Sequence, residues 1–116
     1  MKSKLWDVAG RTDSANADRL AAEMKGKVIR YNGSWWRPAG MVWVKADHHE
    51  LVRFARAVGE KLFEEITDNP LMTSNSDITR FAQRSNSLSG LNAMIYLACG
   101  IPELQATDNQ IRSMSK

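Results

Sequence analysis

Apolar residues recur every three or four positions between residues 47 and 66, which is the spacing of one face of an α-helix. The members of this stripe are Leu51, Phe54, Val58, Leu62 and Ile66. Asp47 precedes the stripe as a candidate N-cap, and Glu50 follows three residues later, as in a capping box. The pattern predicts a long amphipathic helix that ends before Pro70.

Helical periodicity returns in three other segments, at residues 13–25, 76–84 and 88–98. Asp13 or Ser14 is expected to cap the N-terminus of the first of these helices, and Gly26 is expected to end it, because these residue types favour those two positions. The stretch between the long helix and position 76 is expected to be a loop through Asn75. The C-terminal half of the chain is therefore predicted to be mostly helical.

The segment between the first helix and the long one has the pattern of β-strands. Residues 28–31 and 34–36 predict two strands, and Asn32-Gly33 between them is the strongest short signal for a hairpin turn. Residues 37–40 predict a second turn, and residues 41–44 predict a third strand. Three short strands joined in this way form an antiparallel meander.

The predicted fold class is therefore α+β: a small three-stranded antiparallel meander packed with about four helices, with a helical C-terminal half. A single domain is expected over residues 12–104, since a chain of 116 residues is near the commonest domain size. Residues 1–11 are expected to be a flexible lead-in and residues 105–116 a polar tail, because both have weak periodicity.

Composition limits where the protein works. A hydrophobic content of 43% and a charged content of 25% are typical of soluble globular domains. The single cysteine, Cys99, cannot form an intramolecular disulfide. No apolar run approaches the roughly 18 to 20 residues that span a bilayer, and the N-terminus lacks the apolar core of a secretory signal. We therefore expect a cytoplasmic protein with no membrane partner.

Candidate catalytic residues lack the arrangements that catalysis requires. His48 and His49 are adjacent in a predicted helix, so their side chains diverge and do not share a metal. Cys99 ends an apolar stripe and has no histidine near it in the pattern. Glu64 and Glu65 lie on a helix surface, and no glycine-rich phosphate loop is present. The sequence predicts no enzyme activity, no catalytic or metal-binding residue and no cofactor.

Basic residues are concentrated in the first third of the chain, together with three tryptophans. Residues 1–37 contain eight lysines and arginines against four acidic residues, although the formal net charge of the chain is only +3. Basic and aromatic side chains together are typical of a surface that binds a phosphate backbone or a single strand. A solvated basic face has the same composition. The candidate binding residues are Arg11, Lys25, Lys27, Arg30, Trp35, Trp36 and Arg37.

Two consecutive tryptophans stand in the second predicted strand. Alternation directs Trp35 and Trp36 to opposite sides of the sheet, so at most one of them belongs in the core. An exposed indole beside Arg37 can stack on a base or anchor a protein partner. The alternative is that one indole fills the core and a helix or loop covers the other. Trp43, in the third strand, is expected to be structural.

Several motifs together resemble the N-terminal module of phage and plasmid primase–helicases of the satellite-phage type, which is shared with poxvirus-like replicative helicases. The residues that carry the resemblance are Thr-Asp-Ser-Ala-Asn-Ala-Asp-Arg-Leu at 12–20, Arg30-Tyr31, Trp35, Gly40, Trp43, Phe-Ala-Gln-Arg-Ser-Asn-Ser at 81–87 and Leu-Asn-Ala-Met at 91–94. The resemblance covers about residues 12–108. It implies a role in the DNA replication of a mobile element, with DNA or a helicase or primase as the partner.

The chain departs from the pattern of that family in two places. Family members usually have Trp-Asp-Gly in the hairpin, whereas here Pro38 and Ala39 precede Gly40. The chain also contains no Walker motif of a helicase motor and no primase centre, so ATP hydrolysis and primer synthesis are not implied.

A second hypothesis comes from a different class of function. A module without a motor, with a Trp surface available, can serve as a stand-alone phage inhibitor, of the anti-CRISPR or a similar counter-defence type. Such an inhibitor would bind and block a host defence nuclease complex by occupying it, because a net charge of +3 does not suit a DNA mimic. The sequence leaves open the identity of the partner, the oligomeric state, and whether the chain is a remnant of a larger primase–helicase.

Overall fold

The computed structural model of the protein describes residues 3–114. Its helices are α1 (Asp13–Met24), α2 (His48–Thr67), α3 (Pro70–Thr73), α4 (Ser76–Ser85), α5 (Leu88–Ala98) and α6 (Asp108–Met114). Its strands are β1 (Ile29–Tyr31), β2 (Ser34–Ala39) and β3 (Val42–Lys45), which form one antiparallel sheet in the order β1-β2-β3. The predicted α+β fold, with a three-stranded meander and a helical C-terminal half, is confirmed.

Helices α1 and α2 begin at side-chain caps that satisfy their free N–H groups. Thr12 caps α1, since its Oγ1 accepts a hydrogen bond of 3.0 Å from the Ala15 N–H; the cap is therefore one residue before the predicted Asp13. Asp47 caps α2 as predicted, and its Oδ1 accepts a bond of 2.9 Å from the Glu50 N–H. The Glu50 side chain does not complete the capping box but pairs with Arg37 of β2.

The expected loop through Asn75 is wrong, because residues 70–73 form the short helix α3. Asn69 caps this helix by accepting a hydrogen bond from the Leu71 N–H at 3.1 Å, and Pro70 supplies the backbone angle that suits a first helical position. Met72 is almost completely buried. Polar turn residues therefore cap a helix here rather than extend a loop.

The sheet contains one turn that was predicted and one that was not. Asn32 and Gly33 have φ angles of 50° and 77°, the paired positive values of a type I′ hairpin. The turn expected at residues 37–40 is wrong, since β2 continues through Arg37 and Pro38, and the chain reverses at Gly40 and Met41. Pro38 is tolerated because β1 pairs only with residues 34–36, so one edge of β2 is unpaired beside it.

The hydrophobic core lies between α1, α2 and α5 and is closed by α4. Among its fully buried members are Leu20, Met24, Leu62 and Met94. The approach of α2 to the end of α4 requires Gly59, since a Cβ there would overlap the Asn86 amide, which itself donates to the Gly59 carbonyl at 3.3 Å. The meander stands where α1 ends and α2 begins, and the molecule measures 54 × 26 × 21 Å.

Both segments outside the expected 12–104 domain pack against it. The lead-in forms two short 3-10 turns, Lys4–Trp6 and Val8–Gly10, and Leu5 is fully buried in the core. In the tail, the Ala106 N–H donates to the Arg30 carbonyl at 3.0 Å, and α6 lies beside β3. Both segments therefore contact the body of the fold, while residues 1–2 and 115–116 lie outside the described part of the chain.

Candidate nucleic-acid interface

The two faces of the sheet differ in what covers them. Because side chains alternate along a strand, the register pairs define the two sets. The inner face carries Arg30, Trp35, Arg37, Ala39, Val42 and Val44. The outer face carries Tyr31, Ser34, Trp36, Pro38, Trp43 and Lys45, together with Ile29, which is buried. Trp35 is only 5% exposed, so the inner face is the one that packs against the helices.

The inner face uses its basic residues within the protein. The Arg30 guanidinium carbon lies 5.3 Å from the centroid of the Trp35 ring, a cation–π contact on the paired residue. Arg37 Nε donates to Glu50 Oε2 at 2.8 Å and so joins β2 to the first turn of α2. Trp35 fills the core, and these two arginines hold it there. Three of the candidate binding residues, Arg30, Trp35 and Arg37, therefore make their contacts within the fold.

The outer face carries the indole of Trp36, with a tyrosine and a lysine beside it. Trp36 is partly exposed, and its Nε1 donates to the Tyr31 carbonyl at 3.1 Å. The Tyr31 side chain is a diagonal neighbour on the same face. Lys45 lies directly across the sheet from Trp36, with Nζ 5.6 Å from the ring centroid. We call Tyr31, Trp36 and Lys45 the Trp36 surface.

The chemistry of the Trp36 surface follows from these contacts. The only polar atom of the indole is already bonded, so the ring offers its π-face to a ligand. The Lys45 ammonium is exposed and held over the ring by a contact worth about 0.5–1 kcal/mol at exposed sites. A stacking group can therefore displace it at small cost, and the ammonium can then pair with an anion beside the ring.

Farther along the outer face, α6 lies against β3. Trp43 Nε1 donates to Ser113 Oγ at 3.3 Å, and Trp43 and Pro38 border a cavity of about 120 Å³ beneath Thr107 and Gln110. Trp43 therefore has a structural contact in the fold. The Trp36 surface lies on the same face, beside this contact.

The remaining candidate residues do not join this surface. Lys27 lies with its ammonium 5.7 Å from the Phe54 ring, and Lys25 is exposed after the end of α1. Arg11 lies before the other end of α1, where its Nη1 donates to the Leu5 carbonyl at 2.8 Å. The 12 residues of α1 span about 18 Å, so the basic residues of the first third divide between two places.

Sequence reasoning missed three basic residues that the fold brings to these places. Lys45 lies opposite Trp36 in the sheet. The register that pairs these two residues follows only from a turn at Gly40 and Met41, which the sequence did not predict. Arg80 and Arg84 lie on α4 and share a surface cavity with Arg11. Their spacing of four residues indicates one helix face, but nothing in the sequence connects that face to Arg11.

A buried polar network fixes the position of α4 against α1. Arg19 donates to Asn16 Oδ1 at 2.9 Å and to the Gly10 carbonyl at 2.7 Å. The Asn16 amide donates to Ser85 Oγ at 2.9 Å, and both Asn16 and Ser85 are buried. Burial lowers the pKa of Arg19, while the nearby Glu65 and Asp18 carboxylates oppose that shift. The network ties the turn before α1 to the end of α4.

The residues considered for catalysis lie apart from one another. His48 and His49 are exposed in the first turn of α2. Cys99 is half-buried, and its thiol donates to the Ile95 carbonyl at 3.6 Å. Within residues 3–114, no three His, Cys, Asp or Glu side chains form a group that could hold a metal ion. In the same part of the chain, no helix has the length and apolar character needed to cross a membrane.

Comparison with known proteins gives no relative for this chain. No family model, no curated protein and no solved structure matches it. The resemblance to the primase–helicase module therefore stays a prediction from the motifs.

Proposed function

We propose that this protein is a non-catalytic nucleic-acid-binding module in the replication of a phage or another mobile element. In this proposal, the Trp36 surface contacts single-stranded DNA. The observation that carries it is the juxtaposition of a partly exposed indole, a tyrosine and an exposed lysine on one face of the sheet. Aromatic side chains that stack on bases, with cations beside them for the backbone, are the usual means of binding a single strand.

A single strand suits this surface better than a duplex does. Stacking needs an unpaired base whose ring can lie flat on Trp36, and the bases of a duplex already stack on each other. The Trp36 Nε1–H is occupied by the Tyr31 carbonyl, so the indole offers no hydrogen-bond donor for reading a base edge. We therefore expect binding with little sequence preference. Lys45 supplies a phosphate contact beside the ring.

The biological setting of the proposal comes from the motif resemblance. It implies that a helicase or primase acts on the DNA that this module holds. The sequence carries no Walker motif, so the proposed module contributes binding and positioning, and its partner contributes the hydrolysis of ATP.

Fluorescence anisotropy with a labelled oligo-dT tests the proposal. Trp36→Ala is expected to weaken binding by about tenfold or more, because stacking on one aromatic side chain is worth about 1–3 kcal/mol per base. The matched control is Tyr96→Ala, which removes an aromatic side chain that is 77% exposed on α5. Failure of the wild-type protein to bind single-stranded or duplex DNA at low salt would overturn the proposal.

One observation favours a second candidate function, the blocking of a host nuclease complex. Met41 is 98% exposed and Val42 is 60% exposed at the tip of the β2–β3 turn. An apolar tip of this kind suits insertion into a protein partner better than contact with phosphates. Met41→Asp should then abolish inhibition of the nuclease and leave oligo-dT binding unchanged. Inhibition that survives Met41→Asp would count against this candidate.

A further inference from the structure

A second basic surface lies on the helical body, away from the meander. Arg11, Arg80 and Arg84 border a surface cavity of about 240 Å³, together with Asp77 and Phe81. We call the three arginines the arginine patch. Three guanidinium groups and one carboxylate at one cavity leave an excess of positive charge there.

The fold builds this patch from two distant parts of the chain. Residues four apart on a helix lie on the same face, so α4 presents Arg80 and Arg84 together. Arg11 stands in the turn before α1, held by its hydrogen bond to the Leu5 carbonyl. Arg19 of α1 donates to the Gly10 carbonyl beside that turn, and the buried Asn16–Ser85 bond joins α1 to α4. The three side chains are therefore brought together by packed elements.

The arginines of the patch are not used up by internal ion pairs. Within residues 3–114, Arg11, Arg80 and Arg84 form no salt bridge, in contrast to Arg37 and its partner Glu50. The Arg84 guanidinium carbon lies 5.6 Å from the centroid of the Phe81 ring, which is a cation–π contact. An anion bound at the patch would relieve the repulsion between the guanidinium groups.

We infer that the arginine patch binds phosphate groups of a nucleic-acid backbone. Guanidinium is suited to this ligand because it presents several N–H donors in a planar fork and matches phosphate oxygens. Contacts of this kind position a backbone without reading its sequence. The inference rests on the proposed function for its class of partner, but not on the Trp36 surface.

Two observations favour a polyanion over a single phosphorylated residue. Basic side chains stand at both ends of α1, with the patch at its start and exposed Lys25 and Lys27 after its end. The length of α1, about 18 Å, spans several phosphates of a nucleic-acid strand, so one backbone can reach both ends. A single phosphate can reach only one of them.

The salt dependence of DNA binding tests the patch directly. Arg80→Ala/Arg84→Ala is expected to weaken oligo-dT binding about tenfold at low salt. It should also reduce the slope of log K against log salt concentration by about 1.4, or about 0.7 for each lost phosphate contact. The matched control is Arg53→Ala/Arg56→Ala, which removes two exposed arginines from α2. Arg80→Ala alone, which leaves the Arg84–Phe81 contact intact, should lower the slope by about half as much.

The outcomes separate this inference from the proposed function when Trp36→Ala is measured in parallel. If Trp36→Ala weakens binding, while Arg80→Ala/Arg84→Ala binds as well as the control Arg53→Ala/Arg56→Ala, phosphate binding by the patch is overturned and the proposed stacking stands. If only Arg80→Ala/Arg84→Ala lowers the slope, the patch stands and the role of Trp36 is overturned. If the wild-type protein binds a phosphorylated peptide through Arg80 and Arg84 but no DNA, nucleic acid is overturned as the partner. Absence of any DNA binding overturns both.

Discussion

Trp35 and Trp36 are chemically identical neighbours with opposite surroundings. Trp35 is buried under the helices with Arg30 over its ring, whereas Trp36 is partly exposed on the outer face with Lys45 over its ring. Strand alternation alone produces this difference, since it turns consecutive side chains to opposite faces. The same residue type therefore supports the core in one position and offers a contact surface in the next. The predictions below test whether this division between the two faces holds.

The largest effect is expected when the inner indole is removed. Trp35→Ala should lower the free energy of unfolding by about 3–5 kcal/mol, because it leaves a cavity in the core and deprives Arg30 of its ring contact. Chemical denaturation monitored by circular dichroism measures this change. A loss below about 1 kcal/mol would mean that the inner face does not close the core.

Removal of the outer indole should have the opposite profile. Trp36→Ala should change the free energy of unfolding by about 1 kcal/mol or less, since only part of the side chain is buried. Trp36→Phe keeps a stacking ring and should restore most of the oligo-dT affinity that Trp36→Ala loses. If Trp36→Ala destabilises the protein as much as Trp35→Ala does, the outer face is part of the core.

A third comparison sets Lys45 against Arg37, one cation from each face. Lys45→Ala should weaken oligo-dT binding several-fold and lower the salt slope by about 0.7, as for one lost phosphate contact. Arg37→Ala should leave binding nearly unchanged, because Arg37 is paired with Glu50. Anisotropy titrations across a salt series measure both. An equal loss in the two variants would place the ligand at the edge of the sheet rather than on its outer face.

Arg37→Ala should also have a small effect on the stability of the fold. The Arg37 side chain is 42% exposed, so solvent screens its ion pair with Glu50. The variant should lose about 0–1 kcal/mol of unfolding free energy, the range of surface pairs. Thermal unfolding in low and high salt measures it, with Lys61→Ala as the control, since Lys61 pairs with Glu23 on the helical body. A larger loss would show that the inner face depends on this pair to hold α2.

Much of the fold could be predicted from the sequence because local signals carry it. The stripe in α2, the Asp47 cap and the Asn32-Gly33 turn each depend on residues within a few positions of one another. Pro38 in β2 could not be predicted from such signals, because its place depends on how far β1 extends. α3 was missed because Asn69 and Pro70 are common to loops and to helix starts.

The candidate site could be predicted only in part. Alternation predicted that Trp35 and Trp36 lie on opposite faces of the sheet. It did not predict which of them is buried, since that depends on which face meets the helices. The basic first third pointed to Arg11, but its neighbours Arg80 and Arg84 are 69 and 73 positions away and meet it through tertiary packing. Long-range contacts of this kind have no local periodicity to reveal them.

The attachment of α6 has a consequence for the amount of aromatic surface that the protein can present. None of its residues is buried, and Trp43 donates its indole N–H to Ser113 at the end of the helix. Such a segment belongs to the low-stability end of a structure, where local opening costs far less than global unfolding. Release of α6 would uncover more of Trp43, on the same face as Trp36. Amide hydrogens of residues 108–114 should therefore exchange faster than those of α1, and the exposed aromatic area should vary with that opening equilibrium.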